Sequence, residues 1–339
     1  MIVMKWKLKP NLDNPGGEEG YSMKKKLLGV LFGAVFISIL VVTNSALAAT
    51  VNLSSGAHSG TPWWVWPLSL FALTFVMGVV AIPAGVGGGV LFVPIVSSFF
   101  PFNLDFVRGA GLMIALSGSL AAGPGLLKRG MADLRLAMPV ALIASVFSIL
   151  GAVVGLALPA KLVQIGLGAV ILAIVFVMVL AKKSEYPDVK LPDSLSIALR
   201  ISGIYHEDST KQDIDWKIHR TPVGLVLFSF IGFLAGMFGL GAGWANVPVL
   251  NLVMGAPLKL SVATSSFLLS ITDTSAAWIY INKGAILPLV VAPSIIGMML
   301  GAFIGAKLLT KAKPQVIRYA VITMLFLSGF RALLKGFGI

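Results

Sequence analysis

The sequence contains no cysteine, which removes disulfides, thiolate nucleophiles, iron–sulfur clusters and Cys-type zinc sites together. Histidine is almost as scarce: His58, His206 and His219 are the three in the chain, and all lie outside the long apolar runs. A buried imidazole acting as base or ligand is thereby disfavoured, so no metal site is expected. With no Gly-Ser-type dyad in those runs either, the chain does not read as an enzyme. Charge is also low. Only 12% of the 339 residues are Asp, Glu, Lys or Arg, about half the roughly 25% of a soluble domain.

Apolar residues make up 57% of the chain and the mean hydropathy is +0.95. Several apolar runs exceed the roughly 18 residues that mark a membrane-helix candidate, and the short alternating strands of a barrel are missing. The fold class is an all-α polytopic membrane protein, with the lipid bilayer as its first partner. The net charge of +13 sits in short loops between apolar runs, where it reads as topology signal and headgroup contact. Nucleic acid is not an expected partner.

Residues 1–22 are a polar tail. From Met23, three lysines, an apolar run from Leu27 to Val42 and Ala46-Leu47-Ala48-Ala49 follow. Residues 23–49 therefore read as a signal peptide with an Ala-x-Ala cleavage site, or as an extra transmembrane helix left uncleaved, with Met23 a candidate start.

At an offset of 154 residues without a gap, Gly78, Ala81, Gly85, Gly87, Gly89, Val93, Pro94, Gly130, Pro139 and Gly151 recur as Gly232, Ala235, Gly239, Gly241, Gly243, Val247, Pro248, Gly284, Pro293 and Gly305. Two prolines and a spaced glycine triplet in one register mark a tandem duplication. The repeats are 66–181 and 222–337. Each holds five apolar segments, at 66–83, 89–101, 106–127, 136–158 and 162–181, then at 223–237, 244–255, 260–282, 285–309 and 315–334. The second of each five is too short to cross a core of about 30 Å. With its predecessor it is expected to form a re-entrant helical hairpin broken at the glycines, leaving three crossings per half.

An odd number of segments per half inverts the second repeat relative to the first. Placing the N-terminal lysines in the cytoplasm assigns 21 of the 26 bases to that side and leaves Arg108, Lys161, Lys283, Arg331 and Lys335 outside, as the positive-inside rule asks. The C-terminus then lies outside, in a multi-pass cell-membrane protein. The cytoplasmic loop 182–221 carries alternating Leu195, Ile197, Leu199 and Ile201, and again Ile214, Trp216 and Ile218. A small β-hairpin is predicted there, against a partly ordered linker.

The segments Ala84-Gly85-Val86-Gly87-Gly88-Gly89 and Phe238-Gly239-Leu240-Gly241-Ala242-Gly243 are not a dinucleotide loop, since no strand precedes them and no βαβ unit follows. Between inverted hairpins they would let the backbone turn at mid-membrane, and the short helix after each break would aim unpaired N–H groups at a shared anion cavity. Gly85, Gly87, Gly88, Gly89, Gly239, Gly241 and Gly243 are the candidate substrate-binding glycines. The alternative is that they only allow close helix packing. Asn246, Thr264, Ser265 and Ser117 are candidate donors to the anion, although Ser and Thr also bond their own helix carbonyls; Ser119, Ser266 and Thr272 lie nearby. Asp273 is the one acid in mid-span, an expensive placement that suggests proton coupling; a structural cap is the competing role.

The paired Gly-x-Gly-x-Gly segments followed by Val93-Pro94 and Val247-Pro248, with Ala263-Thr264-Ser265 and Lys283-Gly284, resemble the TauE/SafE family of sulfite and organosulfur-anion exporters over roughly 66–335. The resemblance implies an eight-segment core, counting each hairpin as one. Ala110-Gly111 stands where the second half has Thr264-Ser265, so the halves are expected to contribute unequally. The function expected is a secondary transporter exporting small sulfur-containing anions by alternating access. An anion channel, or an uptake permease for another small anion, is the alternative. No cofactor beyond a coupling proton is expected; homodimerisation is left open.

Overall fold

The computed structural model describes residues 64–84, 87–128, 132–180, 187, 189, 191–207, 212–308 and 314–338. The polar tail, the segment 23–49 and Gly85 lie outside them. The first half contains α1 (Val65–Ala84), α2 (Gly88–Phe99), α3 (Leu104–Lys128), α4 (Leu134–Ala157) and α5 (Ala160–Leu180). The second contains α7 (Thr221–Phe238), α8 (Gly243–Pro248), α9 (Leu258–Asn282), α10 (Pro288–Leu308) and α11 (Pro314–Phe337). Among the described residues, five stretches are long and apolar enough to cross a membrane: Leu104–Ala121, Leu134–Ala157, Ala160–Val179, Thr221–Phe238 and Pro288–Gly305. Helix α9 is as long as α3 but carries Ser, Thr and Asp through its middle, which lowers its hydropathy.

Both short segments follow a glycine break. Helix α2 has 12 residues and reaches only about 18 Å at 1.5 Å per residue. Helix α8 passes into a π-helical turn at Val249–Val253 immediately after Pro248. Proline has no N–H to donate and crowds the preceding turn, and a widened turn is one way for a helix to absorb it. Each hairpin returns to the end from which it came. In the first, Trp66 at the start of α1 packs on Phe100 and Phe102 beyond α2, with ring centroids 5.8 and 5.9 Å apart. In the second, the backbone N–H of His219, just before α7, donates to Met254 O after the π turn at 2.9 Å.

The hairpins are packed against the opposite halves. Helix α1 lies along α10 and α7 along α4, both through small residues that bring backbones together. A Cβ on Gly78 would lie 2.6 Å from Met298 O, and one on Gly155 would lie 2.5 Å from Met237 O. Because Gly232 meets Ala144 and Gly155 meets Met237, α7 runs parallel to α4, from its Asp133 end to its Gly155 end. Helix α9 runs the same way: Thr264 meets Asp133 near its start, and Ser148 meets Thr272 further on. Helix α3 runs oppositely, beginning at the Gly155 end, where Arg108 contacts Gly155. Phenylalanine and aliphatic side chains such as Phe176, Phe230 and Leu142 face outward, as a lipid-facing surface should.

Between the halves stand a short helix, α6 (Ser194–Ala198), and an antiparallel pair, β1 (Ser202–Glu207) and β2 (Gln212–Lys217), with Tyr205 opposite Ile214. Leu195 and Ile197, expected in a strand, lie in α6, and Leu199 is its C-cap. Asp193 and Pro192 precede this turn, and the apolar alternation marks no buried face there: Ile197 and Leu199 are exposed and Ser196 is the buried residue. Ile201, Trp216 and Ile218 are buried in one cluster with Leu250, Met254 and Ala256, so the insertion is docked on the mouth of the second hairpin.

Candidate substrate site

The two glycine breaks meet inside the bundle. Gly87 caps α2 with φ +81°, and a Cβ built there would lie 3.4 Å from Leu269 Cδ1 and 3.9 Å from the Cα of Gly243. Gly241, at φ +69°, faces α3 and α9: its Cβ would lie 3.0 Å from Ala115 Cβ and 3.1 Å from Asp273 Oδ2. Gly88 and Gly89 are buried in packing instead. A Cβ on Gly88 would strike Met298, and one on Gly89 would lie 2.5 Å from Leu240 O and 2.8 Å from Gly111 O. Gly239 likewise backs onto the Arg108 carbonyl. Gly243 opens α8.

A small cavity is lined by Ala81, Gly87, Ala115, Ser119, Ser265, Ser266 and Leu269. It lies toward the start of α9 and the end of α3, nearer the Asp133 end of α4. Ser265 Oγ has no hydrogen-bond partner among the described residues, whereas Ser119 and Ser266 donate to Leu116 O and Val262 O on their own helices. Asp273 stands two helical turns beyond Ser265 on the same face of α9, about 12 Å along the axis. It is fully buried, and neither carboxyl oxygen has a hydrogen-bond partner among the described residues. The side chain of Asn246 is also buried and unpartnered, as is Trp244 Nε1. Unsatisfied buried polar groups are rare in folded proteins, which makes these side chains candidates for a functional role.

Two candidate donors are committed elsewhere. Thr264 Oγ1 accepts from the backbone N–H of Asp133 at 3.3 Å, joining α9 to the start of α4. Ser117 donates to Ile114 O at 2.8 Å and is not a cavity residue; Ser119, two positions on, takes that place. The charge count placed Arg108 outside the cytoplasmic set without anticipating that it is buried inside the bundle with Tyr280 beside it. Its position within the apolar segment 106–127, rather than before it, was the available signal.

A family model of the sulfite exporter TauE/SafE matches residues 70–332. The chain belongs to this family. Among curated proteins, the chain is similar to the "Probable membrane transporter protein YunE" of Bacillus subtilis (strain 168), 27% identical over 118 residues. The match covers 35% of this chain, and the chain spans 43% of that relative's length. No solved structure matches the chain. Family and relative both point to a multi-pass membrane transporter rather than an enzyme, and the glycine breaks and the cavity lie within the matched residues.

Proposed function

We propose that the protein is a secondary transporter that exports a small sulfur-containing anion, sulfite or an organosulfonate, by alternating access. The observation that carries this reading is the meeting of Gly87 and Gly243, 3.9 Å apart when Gly87 is given a Cβ, beside a cavity with an unpartnered Ser265. Backbone N–H groups at α2 and α8 starts bind an oxyanion without a buried cation, whose desolvation would be expensive. Asn246 adds an amide donor. Asp273 is the coupling group: protonated, it donates to the anion, and ionised, it repels it, so proton and anion bind together. The halves are read as inverted repeats, a reading supported by hairpins that open at opposite ends of α4 and by the exchanged pairs α1 with α10 and α7 with α4. In this orientation the insertion 182–221 faces the cytoplasm.

The test is flux in proteoliposomes against a panel of sulfite, sulfonates, sulfate and carboxylates, in wild type and Asp273→Asn. Saturable, proton-gradient-dependent flux of sulfite or a sulfonate is expected, with the pH dependence flattened in Asp273→Asn. Non-saturable flux independent of the gradient favours a channel, and an unaltered pH profile gives Asp273 a structural role.

A further inference from the structure

Arg108 is the one fully buried base among the described residues, 1% exposed, and the binding site has no use for it. It stands four residues into α3, and its guanidinium reaches three other helices. Nη1 donates to Gly155 O in the last turn of α4 at 3.0 Å and to Met237 O in the last turn of α7 at 2.8 Å. Nη2 pairs with Asp105. The ring of Tyr280, on α9, lies 5.8 Å from the guanidinium carbon. Its hydroxyl donates to Gly236 O at 3.0 Å and Met237 O at 3.3 Å.

The carbonyls of Gly236 and Met237 end α7, where they have no partner within the helix and carry the negative end of its dipole. A cation and a phenol therefore grip the tip of the second hairpin and join it to α3, α4 and α9. The tandem duplication supplies an internal comparison. At the offset of 154 residues, Arg108 corresponds to Val262, Tyr280 to Leu126 and Met237 to Pro83. The first hairpin has no equivalent grip in sequence. The cavity lies toward the Asp133 end, the end opposite the grip.

We propose that Arg108 and Tyr280 form a clamp that shuts the transport path at the Gly155 end, so that the site opens by default at the other end. This rests on the transporter reading. Opening at the clamped end requires the carbonyls of Met237 and Gly155 to leave Arg108, while Asp105, 43% exposed on its side chain, keeps the guanidinium paired. The ion pair stays and the two carbonyl bonds exchange, which makes the clamp reversible.

The cysteine-free sequence allows one introduced thiol to report on access. Ser119→Cys, at the cavity, is labelled in the full-length protein with a membrane-impermeant maleimide in right-side-out and inside-out vesicles. With the clamp intact, labelling is expected from one face only. Tyr280→Phe, which loses two hydroxyl bonds and keeps the ring, and Arg108→Gln are each expected to raise labelling from the other face about tenfold. One-faced labelling unchanged in both folded variants overturns the clamp. Failure of both variants to fold also overturns it, because a contact that opens in every cycle cannot be required for the fold. The measurement needs no substrate: a shift in labelling without flux of any anion tested removes the transport reading and leaves the clamp.

Discussion

Gly87 and Gly89 are two positions apart and have opposite tasks. Gly89 has backbone oxygens of Leu240 and Gly111 at 2.5 and 2.8 Å from where a Cβ would stand, so Gly89→Ala forces α2 away from both the second glycine break and α3. Gly87 has the end of Leu269 at 3.4 Å and the Cα of Gly243 at 3.9 Å, and its obstacle is a backbone at φ +81° and ψ 149°, which costs an L residue about 1–3 kcal/mol. Gly87→Ala is expected to insert with modestly lowered thermal stability and strongly reduced flux, and Gly89→Ala to lose most folded protein in fluorescence-detected gel filtration. The motif Gly-x-Gly-x-Gly was legible as a break from sequence. Which glycine opens a cavity and which packs depends on neighbours 150 residues away, and no local pattern contains them. The same holds for Arg108: its burial by Gly155 and Met237 is a tertiary fact.

Helix boundaries followed apolar runs closely, because a bilayer forces every backbone bond to be met within a segment. Reading failed where the chain leaves the apolar runs. Alternation at Leu195, Ile197 and Leu199 suggested a strand, yet the segment forms α6, which Asp193 ties to the start of α7. Asp193 Oδ1 accepts from the Thr221 hydroxyl at 2.8 Å and from its N–H at 3.4 Å, capping α7 from outside its own chain segment. Burial pushes the Asp193 carboxyl up, but hydrogen bonds from Thr221 and Ser196 outweigh it and hold the group below its ordinary value. A lowered carboxyl stabilises the fold fully above the unfolded value near ~4, and this contribution is lost as pH falls through the folded value. Asp193→Ala is expected to cost about 1 kcal/mol at pH 7, and the gap from wild type in thermal unfolding should narrow at pH 3. A constant gap across that range would leave the carboxylate without a capping role.

At the scale of the whole molecule, the duplication makes sidedness a geometric question. The first hairpin closes on itself at Trp66 and Phe100, beside the start of α3; the second closes at His219 and Met254, beside the Asp133 end of α4. Helix α4 runs 24 residues between Leu134 and Ala157, about 36 Å and enough to cross a bilayer core. Hairpins that open at its two ends are what the proposed inverted arrangement requires. The positive-inside rule counts Lys and Arg alone, and by that count the insertion, whose seven bases are matched by seven acids, is expected on the cytoplasmic side. Reporter fusions after Lys183 and after Ile339 are expected to report opposite faces of the membrane, the first cytoplasmic. If both report one face, the second repeat is parallel to the first. The helix starts at Gly87 and Gly243 would then no longer converge on one anion from two directions, and the binding geometry proposed for the site would fall with the topology.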